Sequence, residues 1–390
     1  MSKQNIPLSI PNIRGNAWKY MKSCLDTGWV STAGGYVEKF EEKLAAFTGA
    51  RHAVAVVNGT AGLQVALRLC GVEPGDEVLV PTLTFIAPVN AVRYLGAEPV
   101  FMDCEGYMNL DPVKTGDFLA GCRRTPRGLV NKKTGCRVKA ILPVHIFGNP
   151  CDMEAIMALA RRYGLKVVED ATESLGSRWT EGKYKGRHTG TVGDFGVFSF
   201  NGNKIVTTGN GGMLVTADKK MAAKAKYLTT QAKDDHVRYV HDEIGYNFRL
   251  SNLQAALGVA QLEELPAFLK TKKANYEVYH RGLEGIPGLT LLGVPAGTAP
   301  NYWFYSLVID KKVFGLDREG LMAALAADGI QTRPVWQLNH LQRPYRGSQA
   351  YKIERAGWFW QRVLNLPCST SLTRAGALKV CSAIRKVWNA

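Results

Sequence analysis

Short β-branched runs at residues 53–57, 77–80, 99–102, 138–143 and 166–169 are separated by helical patterns at 61–69, 86–94 and 153–163. That alternation admits few architectures. It predicts an α/β chain with a mostly parallel central sheet covered by helices. Two more strands are predicted at 195–200 and 212–216, with Gly209, Gly211 and Gly212 marking the turn between them. After Ser251 the pattern changes. A long helical stretch from 252 to about 283 leads into a Gly/Pro-bearing segment at 285–300, then a predicted strand at 302–309 and helices at 318–327 and 375–388. The expected division is therefore a large domain over 1–250, followed by a linking helix and a smaller C-terminal α/β domain over 251–390.

With 390 residues, 46% of them hydrophobic and 21% charged, the chain has the make-up of a folded protein, which excludes a mostly disordered one. No window of about 18 apolar residues is present, so no spanning helix is expected, and residues 1–11 lack the apolar core of a secretory signal. The expected address is the cytoplasm. Eight scattered cysteines form no Cys-x-x-Cys pair and have no neighbouring His at ligand spacing, so neither a disulfide framework nor a metal site is expected. Lys and Arg total 49 against 33 Asp and Glu, and the resulting +16 favours anionic partners. Solubility alone also accounts for such an excess. A nucleic-acid binder would carry a helix-turn-helix, zinc-finger or ribonucleoprotein pattern, and none is found. The densest basic group, Arg123, Arg124, Arg127, Lys132 and Lys133, falls in an excursion between predicted elements.

Three local patterns carry chemistry. Lys204 lies in Ser199-Phe-Asn-Gly-Asn-Lys204 between two predicted strands. A lysine held against an apolar sheet edge loses hydration of its ammonium, its pKa falls, and it becomes an amine nucleophile for a Schiff base; in any other setting it is a surface lysine. Asp170 ends the strand Lys166-Val-Val-Glu-Asp170, where ligands of parallel sheets sit, and a carboxylate there suits a protonated pyridine nitrogen. It suits a helix N-cap equally well. Asn58-Gly59-Thr60-Ala61 links a strand to a helix, so its free N–H groups, with the Thr60 and Ser199 hydroxyls, suit a phosphate. Many α/β proteins carry such a turn, and this one spells neither a dinucleotide nor a P-loop motif.

Taken in order, Asn58-Gly-Thr-Ala-Gly-Leu-Gln, Pro81-Thr-Leu-Thr-Phe85, Pro143-Val-His145-Ile-Phe-Gly148, Glu169-Asp-Ala-Thr-Glu173-Ser-Leu-Gly, Ser199 to Lys204 and Gly245-Tyr-Asn247-Phe-Arg249 resemble the DegT/DnrJ group of sugar-nucleotide aminotransferases. The match runs from about Leu8 to the last helix. The resemblance implies the aspartate-aminotransferase fold (fold type I) and pyridoxal 5′-phosphate (PLP) as cofactor. It also implies Lys204 as the Schiff-base lysine and proton carrier, Asp170 on the pyridine nitrogen and Phe85 stacked on the ring. Gly59, Thr60, Ala61 and Ser199 would hold the phosphate, joined by Asn247 from the partner of a homodimer with shared active sites. Glu173 stands where many members carry Gln near the cofactor's phenolic oxygen, and Asn210 departs from the commoner Glu of its loop.

A narrower resemblance rests on Asn201-Gly-Asn-Lys, Thr229-Thr-Gln231-Ala-Lys233 and Thr332-Arg333-Pro-Val-Trp336 with His340. These are similar to the branch that aminates UDP-linked 4-keto-6-deoxy-N-acetylglucosamine with glutamate as donor, for surface glycans such as lipopolysaccharide. A nucleotide diphosphate needs further donors, and Lys233, His236, Arg249, Arg333 and His340 are the candidates, arginines first for their paired N–H groups. Two other readings compete. A PLP-dependent sugar dehydratase on the same fold would carry histidine in place of Lys204, and a non-catalytic basic nucleic-acid-binding protein would show steeply salt-dependent DNA affinity.

Overall fold

Strands Glu77–Pro81 and Gly212–Thr216 are buried along their whole length, as strands covered on both faces must be. They belong to one large sheet in a computed structural model that describes residues 5–235 and 237–389. Its order is His52–Val56, Gly212–Thr216, Phe195–Ser199, Lys166–Asp170, Arg137–Ile141, Glu77–Pro81, Glu98–Met102 and Ala350–Tyr351. Gly212–Thr216 runs antiparallel to both neighbours, and the pairs from Phe195–Ser199 through Ala350–Tyr351 are parallel. Each strand predicted in the first half forms within a few residues of its expected bounds, because an apolar run between turn residues has one way to bury itself. The basic excursion is a hairpin, Arg123–Thr125 with Gly128–Val130, laid antiparallel on Arg137–Ile141.

Helix starts follow from side-chain caps. Asn58, Asp111, Asp152 and Asp218 each accept first-turn N–H groups, and Ser251 with Gln254 forms a reciprocal capping box. The box opens the 32-residue helix Asn252–Leu283. This helix packs on Ala17–Asp26 and Gly35–Thr48 and also on the closing helix Arg374–Trp388. Gly258 is required at the crossing, because a Cβ there would stand 2.6 Å from the buried Phe40 ring. Beyond the helix lies a second, antiparallel sheet in the order Leu289–Leu291, Tyr305–Ile309, Val363–Leu366 and Arg333–Pro334. The strand predicted at 302–309 begins only at Tyr305. Tyr302 is left-handed at φ 54°, and Asn301 and Trp303 are committed to side-chain contacts across the chain.

Asp103, which follows Glu98–Met102, holds the start of the helix Arg355–Arg362 that leads into Val363–Leu366 of the second sheet. Its buried carboxylate accepts N–H groups of Glu354, Arg355 and Ala356 at 2.8–3.1 Å and the Lys114 ammonium at 2.6 Å. Burial pushes its pKa up, but Lys114 and the N–H donors outweigh this and hold it below the ordinary value. A group depressed in the folded state stabilises the fold above the unfolded carboxylate pKa of about 3.9 and loses that contribution as pH falls further. Asp103→Asn is expected to cost about 1.5–3 kcal/mol at neutral pH and to flatten the acid limb of the stability curve. Urea unfolding at pH 7 and pH 3 checks both, and equal loss at the two pH values would exclude the charge as the cause.

Candidate active site

Lys204 is carried by the turn after strand Phe195–Ser199, its N–H bonded to the Asn201 carbonyl at 3.0 Å. Its amine points inward, 3.6 Å from Glu173 Oε1 and 3.9 Å from the centre of the Trp303 ring. Burial pushes its pKa down, while Glu173 and then Asp170 oppose the shift. Asp170 closes its strand 2% exposed, and Oδ1 accepts the Thr172 N–H at 3.0 Å. No helix starts there, so the carboxylate caps a tight turn and not a helix. Burial raises its pKa against the Thr172 bonds and the Lys204 charge. Glu173 is pushed up to about 7 by burial, with Lys204 and the Phe147 N–H pulling the other way.

Strand alternation turns the neighbouring Glu169 to the opposite face. There it accepts His145 Nε2 at 2.9 Å and the N–H groups of Gly190, Val192 and Gly193 at 2.6–2.9 Å. His145 Nδ1 accepts the Cys151 N–H, so Nε2 carries the ring proton. Burial raises the Glu169 pKa, but His145 and the N–H donors bring it below its ordinary value. The pair braces the strand end that presents Asp170.

At the strand-to-helix turn, Asn58 Oδ1 takes the Ala61 N–H at 2.8 Å. The Ala61 amide is therefore occupied, and Gly59 and Thr60 supply the first-turn N–H groups that the helix itself leaves unpaired. Gly59 lies in a cradle. A Cβ there would come within 2.9 Å of Thr172 Cγ2 and 3.1 Å of Ser199 Cβ, so three chain segments meet around it.

Phe85 is 50% exposed although it precedes a buried helix, and its ring centre lies 5.8 Å from Trp336. Trp336 touches Phe147, and Phe147 touches Trp303, making an aromatic wall from Phe85 to the Lys204 amine. Phe147 holds φ 55°, a conformation costing of order 1–3 kcal/mol in a non-glycine residue. Its N–H donates to Glu173 Oε2 at 2.8 Å. Asn301 pins the same turn, donating to the carbonyls of Glu173 and Leu175.

The predicted residues thus separate into groups. Lys204, Asp170 and Glu173 converge, and Gly59 and Ser199 converge beside them. Among the described residues, Lys233, Arg249, Arg333, His340 and Asn247 make no polar contact with that centre. Lys233 lies over the Tyr239 ring at 4.6 Å, Arg333 is exposed with Nη1 on the Thr332 carbonyl, and Asn247 is exposed opposite Thr230. His340 Nδ1 is 2.6 Å from Thr82 Oγ1, supporting the loop before Phe85 together with Asn339, which donates to the Thr82 and Thr84 carbonyls. Arg249 runs beside Val56 with a buried Nε that has no partner, and Thr84 Oγ1 and Asn339 Oδ1 are orphaned likewise. His236 lies outside the described residues. A separate cavity of about 1620 Å³ is lined by Glu105, Asp111, Glu181 and Glu354 and also by Lys114 and Arg355, and none of the predicted site residues lines it. Sequence reasoning assigned no role to Thr172, Trp303, Phe147 or Asn301; Thr172, within the Glu169 to Gly176 motif, and Phe147, within the Pro143 to Gly148 motif, had a local signal.

These residues fit PLP. A dehydrated amine, a buried carboxylate at a strand end, a glycine cradle with free N–H groups and an exposed aromatic face match its aldehyde, ring nitrogen, phosphate and ring. Fold and site together define a fold-type-I PLP enzyme. Residues 11–385 match the DegT/DnrJ/EryC1/StrS aminotransferase family, and the chain belongs to it. It is 37% identical to GDP-perosamine synthase of Escherichia coli O157:H7 over 388 residues, covering 98% of this chain and 99% of that one. It is 36% identical to the putative pyridoxal phosphate-dependent aminotransferase EpsN of Bacillus subtilis, covering 95% and 92%. The crystal structure of S. venezuelae DesV superposes with a TM-score of 0.86 at 32% identity, covering 98% and 100%. The protein is a PLP-dependent sugar-nucleotide aminotransferase.

Gly59→Ala would fill the cradle, and repacking of about 1–3 kcal/mol translates into PLP binding about five- to a hundredfold weaker. Fluorescence titration of PLP into the stripped protein, with circular dichroism confirming the fold, checks this. Unchanged affinity would remove Gly59 from the phosphate site.

Proposed function

We propose that the protein transfers an amino group from glutamate to the keto carbon of a nucleotide-diphosphate-linked 4-keto-6-deoxy sugar, for polysaccharide assembly. The observation that carries the reading is the largely buried Lys204 amine, held between Glu173 and the Trp303 ring beside the buried Asp170 carboxylate. Bound PLP supplies an electron sink for the carbon that gains or loses the amine. The chain's own residues do the rest. Lys204 takes a proton from that carbon and returns it, Asp170 holds a proton on the ring nitrogen, and Gly59, Thr60 and Ser199 bind the phosphate. Trp303, Phe147 and Trp336 wall the amine from water, which strengthens every charge interaction inside.

The motifs at 201–204, 229–233 and 332–340 support a UDP-linked, N-acetylated acceptor, with Arg333 and Arg249 as diphosphate ligands. The name GDP-perosamine synthase, carried by relatives 35–37% identical over 98% of the chain, supports a GDP-linked one as a second reading. On the proposed division into units 1–250 and 251–390, the amine belongs to the first and Trp303 and Trp336 to the second. Exposure of Phe85 and Asn247 supports a homodimer in which Asn247 completes the partner's phosphate site.

With glutamate as donor, 2-oxoglutarate release is expected with UDP-linked 4-keto-6-deoxy sugar in preference to GDP- and dTDP-linked ones, and Lys204→Ala is expected to fall below a few per cent of that rate while remaining folded. Preference for the GDP sugar would replace the UDP reading; no transfer to any keto sugar by PLP-loaded protein would overturn the proposal. Mixing Lys204→Ala with an inactive Asn247→Ala variant is expected to restore one sound site per mixed dimer. Exchange without recovered activity would place Asn247 in its own subunit's site.

A further inference from the structure

Glu173 has one carboxylate oxygen fixed and one free. Oε2 accepts the N–H of Phe147, whose left-handed backbone presents that donor, and the Glu173 carbonyl is held by Asn301. Oε1 remains for Lys204, 3.6 Å away, and the two side chains are only 3% and 12% exposed. An amide in place of this carboxyl would satisfy the Phe147 N–H equally well through its oxygen. What the carboxyl adds is an atom that can take a proton.

We propose that Glu173 is the proton partner of Lys204, receiving the ammonium proton on Oε1 so that the amine is freed without a proton leaving the buried site. The step balances within the pair. An N–H bond at Lys204 Nζ breaks, an O–H bond at Glu173 forms, ammonium and carboxylate become amine and acid, and the net charge is unchanged; the reverse step restores them. Burial drives both groups towards their neutral forms, which is why the two arrangements lie close in free energy. The carboxyl is raised to about 7 by burial and the amine is lowered by burial, so they approach neutrality from opposite sides and titrate as a pair. The other titratable groups here are Asp170, which favours the ammonium, and behind it Glu169 and His145, bonded to each other.

The inference rests on the reading of Lys204 as the reacting amine, and its test avoids amine transfer. Full-length protein stripped of PLP is acetylated with acetic anhydride across pH, and modification at Lys204 is read by peptide mass. Glu173→Gln removes the negative partner that favours the ammonium, so the Lys204 midpoint is expected to fall by about one unit or more, giving labelling at pH 7 about tenfold faster. Glu173→Asp, which keeps a carboxyl, is expected to stay nearer wild type, and it replaces Glu173→Gln as the probe if that variant does not fold. A second arm uses the wild type alone. A protonated-carboxyl infrared band that titrates with the Lys204 midpoint supports the pair. A Glu173→Gln labelling curve that overlays wild type, or a Lys204 midpoint with no accompanying carboxyl band, overturns it. Failure of amine transfer to every keto sugar would overturn the aminotransferase reading and leave both midpoints where they are.

Discussion

The arrangement of this protein depends on holding an ammonium group out of water at the carboxyl edge of a sheet. Desolvating such an ion costs several kcal/mol, and Lys204 offsets that loss with the Glu173 carboxylate on one side and the Trp303 ring on the other. Neither partner is placed by its own strand. Glu173 is held by a strained turn at Phe147 and by Asn301, and Trp303 by its indole N–H on the Asn203 carbonyl, one residue before Lys204 itself. The site is therefore closed by contacts between its own supports.

The long helix extends this support into the second sheet. Lys272, about two thirds of the way along it, is fully buried and donates to the carbonyls of Trp303 and Cys368. Burial lowers its pKa, as it does for Lys204, but the surroundings differ: its ammonium is held by backbone carbonyls, and among the described residues no carboxylate is bonded to it. Two lysines, one fully and one largely buried, thus do different work. Lys272 fixes the chain that carries the aromatic wall, whereas Lys204 faces the groups that suit PLP.

Charge is organised on two scales. The net +16 favours anions over the whole surface. Locally the polarity is divided, with Glu173 and Asp170 around the amine and the first-turn amides of Gly59 and Thr60 at the cradle.

Periodicity alone determined the main strands of the first half, three of its helices, the long helix and the closing helix, because burial of an apolar face is a local pattern at two or 3.6 residues; the helices Ala17–Asp26, Gly35–Thr48 and Pro112–Gly121 were not read from it. The Asn58, Asp170 and Lys204 motifs were legible for a similar reason: each is a short segment whose chemistry is carried by neighbours in the chain. The sequence did not show that Gly212–Thr216 runs against its neighbours, since side-chain alternation is the same in either direction. Nor did it show where the strand at Tyr305 starts, or that Phe147, Asn301 and Trp303 surround the amine. Those residues look like ordinary core aromatics and a loop amide until segments more than a hundred residues apart in the chain are packed together, as Glu173 and Asn301 are. Only the tertiary structure decides such contacts, because they depend on which faces meet, and no local repeat encodes that.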